Sequence, residues 1–347
     1  MTNLLIDWNF FFHKTLGVFT GFGKKDAGDV LSTEDDQASF TRKIMTDLCY
    51  AIGQLPIDGR IICCKDSRSW RKDLKVERNH IYKGSRKKEV GTDWGCFFEL
   101  MDKLGDYLET RGYIYSKFPK AEGDDLLWAW NKQLREKGEN VIVLSGDHDL
   151  HQLISMDEQS WTICWNCNSK NNKAHVPAGF IEHITKEEEI TVFNFSISDN
   201  IDQNKFQKFI TSSVIEEVDP FRLSFQKILT GDKKDDVPSV WIKEVNGKYS
   251  RFTPSKAEAA YNFFLESGWS KYSRIEDFIN DPEYLKWIAG LILRIVGEND
   301  NVENRNKART YYIENAQLVF LSESVLPQDM VNGIFEQISQ KNEFLKK

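Results

Sequence analysis

In VLSGDHDLHQL, Val143 to Leu153, an apolar run gives way to a turn and then releases Asp147, His148, Asp149 and His151 within five positions. Two carboxylates one residue apart where a buried strand stops can hold a divalent cation, or can serve the turn alone, as Gly-Asp pairs often do. The rest of the chain repeats the pattern. LLID ends in Asp7, IICCKD in Asp66 and VIVLSGD in Asp147. AEGDDLLWAW places Glu122, Asp124 and Asp125 at a helix start, where capping is the plain alternative reading. ILTGDKKDDVPSV adds Asp232, Asp235 and Asp236. Ionised carboxylates brought together repel one another, so such a cluster calls for cations to neutralise it. Hard divalent ions suit an all-oxygen set: Mg²⁺ keeps several waters and suits phosphate chemistry, and Mn²⁺ shares its ligands. Two such ions about 4 Å apart can activate a water and stabilise a leaving oxygen in phosphoryl displacement.

A net charge of −7 would by itself argue against a nucleic-acid partner, but the distribution of charge decides the matter. KDSRSWRKDLKVERNHIYKGSRKK, Lys65 to Lys88, holds ten Lys or Arg against three acids. A basic strip near an acidic metal site has a purpose if it holds a polyanion that the acids alone would repel.

Positioning these residues requires strands and helices in alternation. LLID (4–7), RIICCKD (60–66), YIYSKF (113–118) and NVIVLSGD (140–147) read as buried strands. Residues 34–54, 94–108 and 122–137 carry apolar positions at three- and four-residue spacing and read as helices. The alternation predicts an α/β domain with a mostly parallel sheet, and ligands of such sheets bind beyond the carboxyl ends of the strands. Asp7, Asp66 and Asp147 are therefore expected at one edge. WTICWNCNSKNNKAHV (161–176) reads as two strands around a polar turn, and the chain from Pro220 onward is mostly helical.

The ordered set LLIDWN, CKDSRSWRKD, YKGSRKKE, AEGDDLLW, VLSGDHDLHQL and ILTGDKKDDVPSV resembles the flap endonuclease and 5′-to-3′ exonuclease family, in particular its phage ribonuclease H type, over residues 1–165 and 220–260. The resemblance implies a PIN-like α/β body over residues 1–218, with a basic arch or bridge region at 65–92. It also implies a helix-three-turn-helix and C-terminal helical region over 219–347. Carried over by position, it makes Asp7, Asp66, Glu122, Asp124 and Asp147 a first metal group. Asp149, Asp232 and Asp235 form a second, with Asp125 adjacent, for two Mg²⁺ ions that Mn²⁺ can replace. Lys83 and Arg86 would approach the scissile phosphate, where fixed positive charge stabilises the transition state. Arg71, Lys72, Tyr82, Lys87, Lys88, Lys233 and Lys234 would contact nucleic acid. For Lys72, Lys75, Lys87 and Lys88 a solvated helix face is the competing reading.

The implied activity is structure-selective hydrolysis near 5′ ends, including RNA primer removal, by a monomer acting on branched, flapped or nicked DNA and RNA-DNA duplexes. A single-strand-binding protein or replisome is an implied partner, and the host cytoplasm the implied location if the gene is phage-borne. The start MTNLLIDWNFFF shows no basic leader and no run has the length of a membrane span, which also leads to the expectation of a cytoplasmic protein.

Four departures stand against the family pattern. Gly123 replaces a usual Ala, a change expected to be harmless; His148 replaces a usual Lys; Asp236 replaces a usual Asn; and SVWIKEVNGKYSRFTPSK intervenes after the GD segment. Residues 168–218 make a longer connection than the phage type suggests.

Some signals are set aside. CWNC (164–167) has half a zinc site's spacing, but its place on a hairpin favours buried thiols, and the six scattered cysteines do not form a disulfide framework. His13 and His80 are expected to make local hydrogen bonds. Trp128 is expected in the core, with the border of the acidic site as its other reading. Three rivals remain: a PIN-type RNA endonuclease, which would need no GD-x-x-D segment; a catalytically silent DNA-binding accessory protein; and a phosphatase with an Asp nucleophile, disfavoured because Asn9 stands where a D-x-D motif needs its second acid.

Overall fold

The structure, a computed structural model, describes residues 1–21, 31–78, 81–85, 94–167, 172–182, 203–245, 248–272 and 274–344. The chain divides into two compact units. Met1–Arg68, Lys88–Val218 and Gly333–Lys347 form the first, and Ser69–Lys87 with Asp219–Asn332 form the second.

The first unit is built on β1 (Thr2–Asp7), β2 (Ile61–Cys64), β3 (Ile114–Ser116), β4 (Asn140–Leu144), β5 (Ser155–Met156), β6 (Trp161–Asn166), β7 (Asn172–Pro177) and β8 (Ser213–Val218). Their order is β3-β2-β1-β4-β6-β7-β8, with β5 paired to β6. The β3-β2-β1-β4-β6 run is parallel; β6 meets β7 antiparallel, as expected for the 161–176 hairpin, and β7 pairs β8 in parallel. The expected mostly parallel α/β architecture is the one found. β1 is covered on both faces, which explains its uninterrupted apolar run. Leu4, Leu5 and Ile6 are fully buried, each worth about 1.5–3 kcal/mol of apolar transfer.

Helices α1 (Trp8–Phe19), α2 (Glu34–Gln54), α3 (Trp94–Thr110), α4 (Gly123–Arg135) and α5 (Gln203–Ser212) complete this unit. α2 begins where its sequence says it should: Thr33 Oγ1 accepts from Asp36 N–H at 3.1 Å, and Glu34, Asp35 and Asp36 occupy the first turn, where the helix dipole favours acids. Trp8, Phe12, Phe40 and Phe97 pack in edge-to-face and tilted pairs between α1, α2 and α3. Trp128 belongs to the core, its ring 5.9 Å from that of Phe335.

The second unit contains α6 (Pro220–Thr230), the hairpin β9 (Ile242–Val245) and β10 (Lys248–Arg251), α7 (Pro254–Leu265), α8 (Pro282–Val296) and α9 (Val302–Val319). α10 (Gln328–Phe344) ends the described chain. The hairpin accounts for the unusual WIKEVNGKYSR insertion. Phe225, Ile228, Phe264, Tyr284, Ile292 and Tyr312 lie in its core, where the Tyr284 and Tyr312 hydroxyls meet at 2.8 Å.

The chain passes from the first unit to the second after Val218, and two segments depart from a division in sequence order. Ser69–Lys87 groups with the helical unit because Arg78 is anchored there: it donates to Glu314 Oε2 at 3.0 Å, Ser239 O at 2.9 Å and Asn315 Oδ1 at 2.6 Å, and lies 4.5 Å over the Tyr311 ring. From Gly333 the last helix returns to the sheet unit, where Lys341 pairs with Glu109 at 2.5 Å and Asn342 donates to Gln133. Among the described residues no helix is long and apolar enough to cross a membrane.

Candidate active site

Parallel pairing of β2, β1 and β4 brings their carboxyl ends together. Asp7 closes β1 and caps α1: one carboxylate oxygen accepts from Phe10 N–H at 2.9 Å and the other from the Ser145 hydroxyl at 2.8 Å. Asp66 follows β2; Asn9 Oδ1 accepts from its N–H at 2.9 Å, and its own Oδ1 accepts from Gly123 N–H at 2.5 Å. That last bond ties Asp66 to the start of α4, which carries Asp124. Asp147 follows β4 and caps the 3-10 turn His148–Leu153, accepting from Asp149 N–H at 3.0 Å, while its own N–H donates to Ser145 Oγ at 3.0 Å.

Electrostatics show that these acids share one space. Burial pushes the Asp7 carboxyl up to about 7, with Asp66 and Asp147 adding repulsion. Asp124 is also raised well above the usual carboxylate range, by burial first and then by Asp7, Asp147, Asp66 and Glu122. Asp66 and Asp147 thus add to the proton affinity of both Asp7 and Asp124, and a cation among them would remove the penalty. The donors are carboxylate oxygens, which match a hard divalent ion and not a soft one. As the side chains stand, no three His, Cys, Asp or Glu among the described residues close on a single point, so binding would draw the carboxylates inward.

Asp125, expected adjacent to the second metal group, lies in the first turn of α4. Asp125 is 0% exposed and its Oδ2 accepts from Glu122 N–H at 2.9 Å, closing a capping box at the start of α4. Through that oxygen it holds the helix end in place. A Cβ at Gly123 would stand 2.9 Å from Asp66 Oδ1 and 3.4 Å from Cys64 O, so an Ala there would press on a site carboxylate.

Asp232 and Asp235 belong to the second unit. Asp232 sits in a tight turn closed by paired backbone bonds with Val237, and despite its burial Lys227, 2.9 Å away, holds its carboxyl below the usual range. Asp235 accepts from the Tyr82 hydroxyl at 3.0 Å and lies 3.7 Å from Lys83 Nζ, while its carbonyl accepts from Lys83 N–H at 2.9 Å. Asp236, at φ 57°, accepts from the Ser85 N–H at 2.7 Å and hydroxyl at 2.6 Å. The role that sequence left blank for Asp236 is therefore to clasp the segment carrying Lys83.

Two expected nucleic-acid contacts are corrected by burial. Tyr82 is 6% exposed and packs against Val237 and Leu318, its hydroxyl engaged by Asp235. Arg71 is 3% exposed, its guanidinium 4.8 Å over the Trp70 ring. Both support the segment from within. Lys72, Lys233 and Lys234 are exposed, and Arg86, Lys87, Lys88 and His80 lie outside the described residues. Cys164 and Cys167 are buried free thiols. They stand three residues apart at the end of a strand, a spacing that sends side chains to opposite faces, so they do not form half a zinc site.

Sequence reasoning missed Ser145 and, as a positioning group, Asn9. A Ser before Gly-Asp and an Asn after a strand-end Asp are ordinary turn residues, and only the fold reveals that they orient three acids. It also missed a histidine group: ring centroids of His151 and His175 lie 4.1 Å apart, of His148 and His151 4.8 Å, and burial carries the His151 imidazole down to about 3.

No family model matches the chain. A stretch of 245 residues, 67% of the chain, is 24% identical to ribonuclease H of Enterobacteria phage T4 and spans 63% of that protein, just under two thirds of its length. Among solved structures, a phage T5 protein co-crystallised with metal ions superposes with a TM-score of 0.51 at 14% identity, covering 98% of this chain and 99% of that one. The T5 flap endonuclease in a pseudo-enzyme-product complex with DNA and metal ions gives 0.50 at 14% identity, covering 99% and 100%. The fold of these T5 proteins is shared across almost the whole chain.

Proposed function

We propose that this chain is a structure-selective, divalent-metal-dependent 5′-nuclease that cleaves phosphodiesters near the 5′ ends of branched, flapped or nicked DNA and of RNA-primed duplexes, as part of phage-type replication. The observation that carries this reading is the gathering of Asp7, Asp66, Asp124 and Asp147 at the carboxyl edge of the parallel sheet, close enough that Asp66 and Asp147 push the carboxyls of both Asp7 and Asp124 up. Two Mg²⁺ ions, replaceable by Mn²⁺, would there activate a water and offset charge on the leaving oxygen.

The protein's own residues do the rest. Asp7, Asp66, Asp124 and Asp147, with Glu122 and Asp149, would hold the ions, and Ser145 and Asn9 keep the carboxylates oriented. Asp232 and Asp235 are proposed as acids of the second cation group. Lys83 and Arg86 would place fixed positive charge on the phosphate being cleaved, while exposed Lys72, Lys233 and Lys234, with Lys87 and Lys88, hold the strand's other phosphates. Hydrolysis would leave a 5′-phosphate and a 3′-hydroxyl. The T5 flap endonuclease complex with DNA and metal ions supports the assignment by its shared fold. Recruitment by a single-strand-binding protein or replisome belongs to the same proposal, as do a monomeric state and action in a host cytoplasm.

The test is incubation of purified protein with a 5′-labelled flap, a nicked duplex and an RNA-primed duplex, each with Mg²⁺ and with chelator. Short labelled products that require the cation are expected. Cleavage confined to single-stranded RNA would favour the PIN-type RNA endonuclease, and binding without cleavage in either Mg²⁺ or Mn²⁺ would favour the silent accessory protein.

A further inference from the structure

Three of the chain's six histidines come together at the acid-bearing turn. His148 and His151 come from the 3-10 turn His148–Leu153, and His175 from β7. Their ring centroids are separated by 4.1, 4.8 and 6.1 Å. A tetrahedral metal bound by imidazole nitrogens at about 2.0–2.1 Å holds each ring centroid about 3.2 Å from itself, hence about 5 Å from the next. The observed separations bracket that value.

Chemistry and support point the same way. His151 and His175 are each 6% exposed, and burial favours neutral imidazole, the form that offers a lone pair. Glu216 Oε2, on the neighbouring strand β8, lies 3.4 Å from His175 Nδ1. A carboxylate that accepts a hydrogen bond from Nδ1–H keeps the proton on that nitrogen and leaves the Nε2 lone pair for the metal, the usual outer arrangement of a metal-bound histidine. Cys164, the cross-strand partner of His175, is seated under the same turn, its Sγ donating to Leu150 O at 3.3 Å. His148 is exposed, so its side chain can rotate to complete a set that does not converge on one point as it stands.

We propose that His148, His151 and His175, with Glu216 as the outer partner, form a binding site for a borderline-soft transition-metal dication of the Zn²⁺ class. An ion there would tie the turn carrying Asp147 and Asp149 to β7 and β8, fixing the position of two acids without itself taking part in chemistry. It would differ from the carboxylate site in ligand type, so hard cations would not compete for it. The proposal does not depend on nuclease activity.

Co²⁺ is the probe, because tetrahedral nitrogen coordination gives it a strong visible absorption. Metal-stripped full-length protein is titrated with Co²⁺ in excess Mg²⁺, which occupies the carboxylates. We expect one equivalent to bind with a tetrahedral band that is lost in H148A and H175Q, kept in D66N, and formed with affinity weakened about ten- to hundredfold in E216Q. H148A alters an exposed side chain and E216Q a half-buried one, so they decide the matter even where H175Q fails to fold. No tetrahedral band in the folded wild-type protein, a band that survives H148A, or one that vanishes in D66N alone would overturn the assignment.

Discussion

The Oδ1 atom of Asp66 lies 2.5 Å from the amide nitrogen of Gly123, joining the end of one strand to the start of the helix that carries Asp124. A Cβ on residue 123 would stand 2.9 Å from that oxygen. Gly123→Ala is therefore expected to displace Asp66 and raise the Mg²⁺ concentration needed for half-maximal cleavage on the order of tenfold. A melting temperature within a few degrees of wild type would show that the effect is local. An unchanged Mg²⁺ requirement would mean that Asp66 yields without consequence.

Ser145 is the only described side chain seen to bond both Asp7 and Asp147, donating to the first and accepting from the amide of the second. Removing its hydroxyl frees two site acids without touching any basic residue. Ser145→Ala should reduce turnover about ten- to hundredfold while binding to flap DNA stays near wild type. Equal losses in binding and turnover would place Ser145 in the general packing of the edge.

The acid cluster also shapes stability in the absence of ions. Asp7 rises from its ordinary 3.8 to about 7 in the folded chain, so the folded state holds that proton more tightly than the unfolded one. Its contribution favours folding at low pH and is lost as pH climbs from about 4 to about 7. In chelator, the melting temperature should fall between about pH 5 and pH 8, and Asp7→Asn should reduce the fall. Mg²⁺ added at about pH 8 should restore the wild-type midpoint. A chelated wild-type protein with a flat profile over that interval would contradict the mutual repulsion of these acids.

Lys83 is held at φ 54°, with its amide on the Asp235 carbonyl and its ammonium 3.7 Å from the Asp235 carboxylate. Such a fixed placement suits a charge that acts at one phosphate better than one that roams along a backbone. Lys83→Ala is expected to slow single-turnover cleavage more than it weakens flap binding. A single-turnover rate equal to wild type would remove Lys83 from the catalytic group.

Much of this was legible in the sequence. Uninterrupted apolar runs mark the buried parallel strands, and three of them end in or just before an aspartate, so the edge bearing Asp7, Asp66 and Asp147 follows from pattern and topology rules together. α2 was legible from its cap and spacing, and the 161–176 hairpin from its polar turn. What sequence hides is the orientation of side chains whose types allow several roles. Tyr82 and Arg71 read as contacts in a basic strip, but the aromatic body of one and the long stem of the other are spent inside the protein. Asp125 reads as one acid among several until its bond to the Glu122 amide makes it a cap. The histidine group escapes notice because His175 lies 24 residues beyond His151, and only the β6–β7 pairing returns it to the turn.

The most direct measurement of the central claim is single-turnover cleavage of a 5′-labelled flap by Asp147→Asn, with binding to the same flap measured alongside. Losing this carboxylate should lower the rate by at least about a hundredfold and leave the dissociation constant close to wild type. Cleavage at the wild-type rate, or a rate and an affinity that fall together, would contradict a cation-binding role for the acids at this edge.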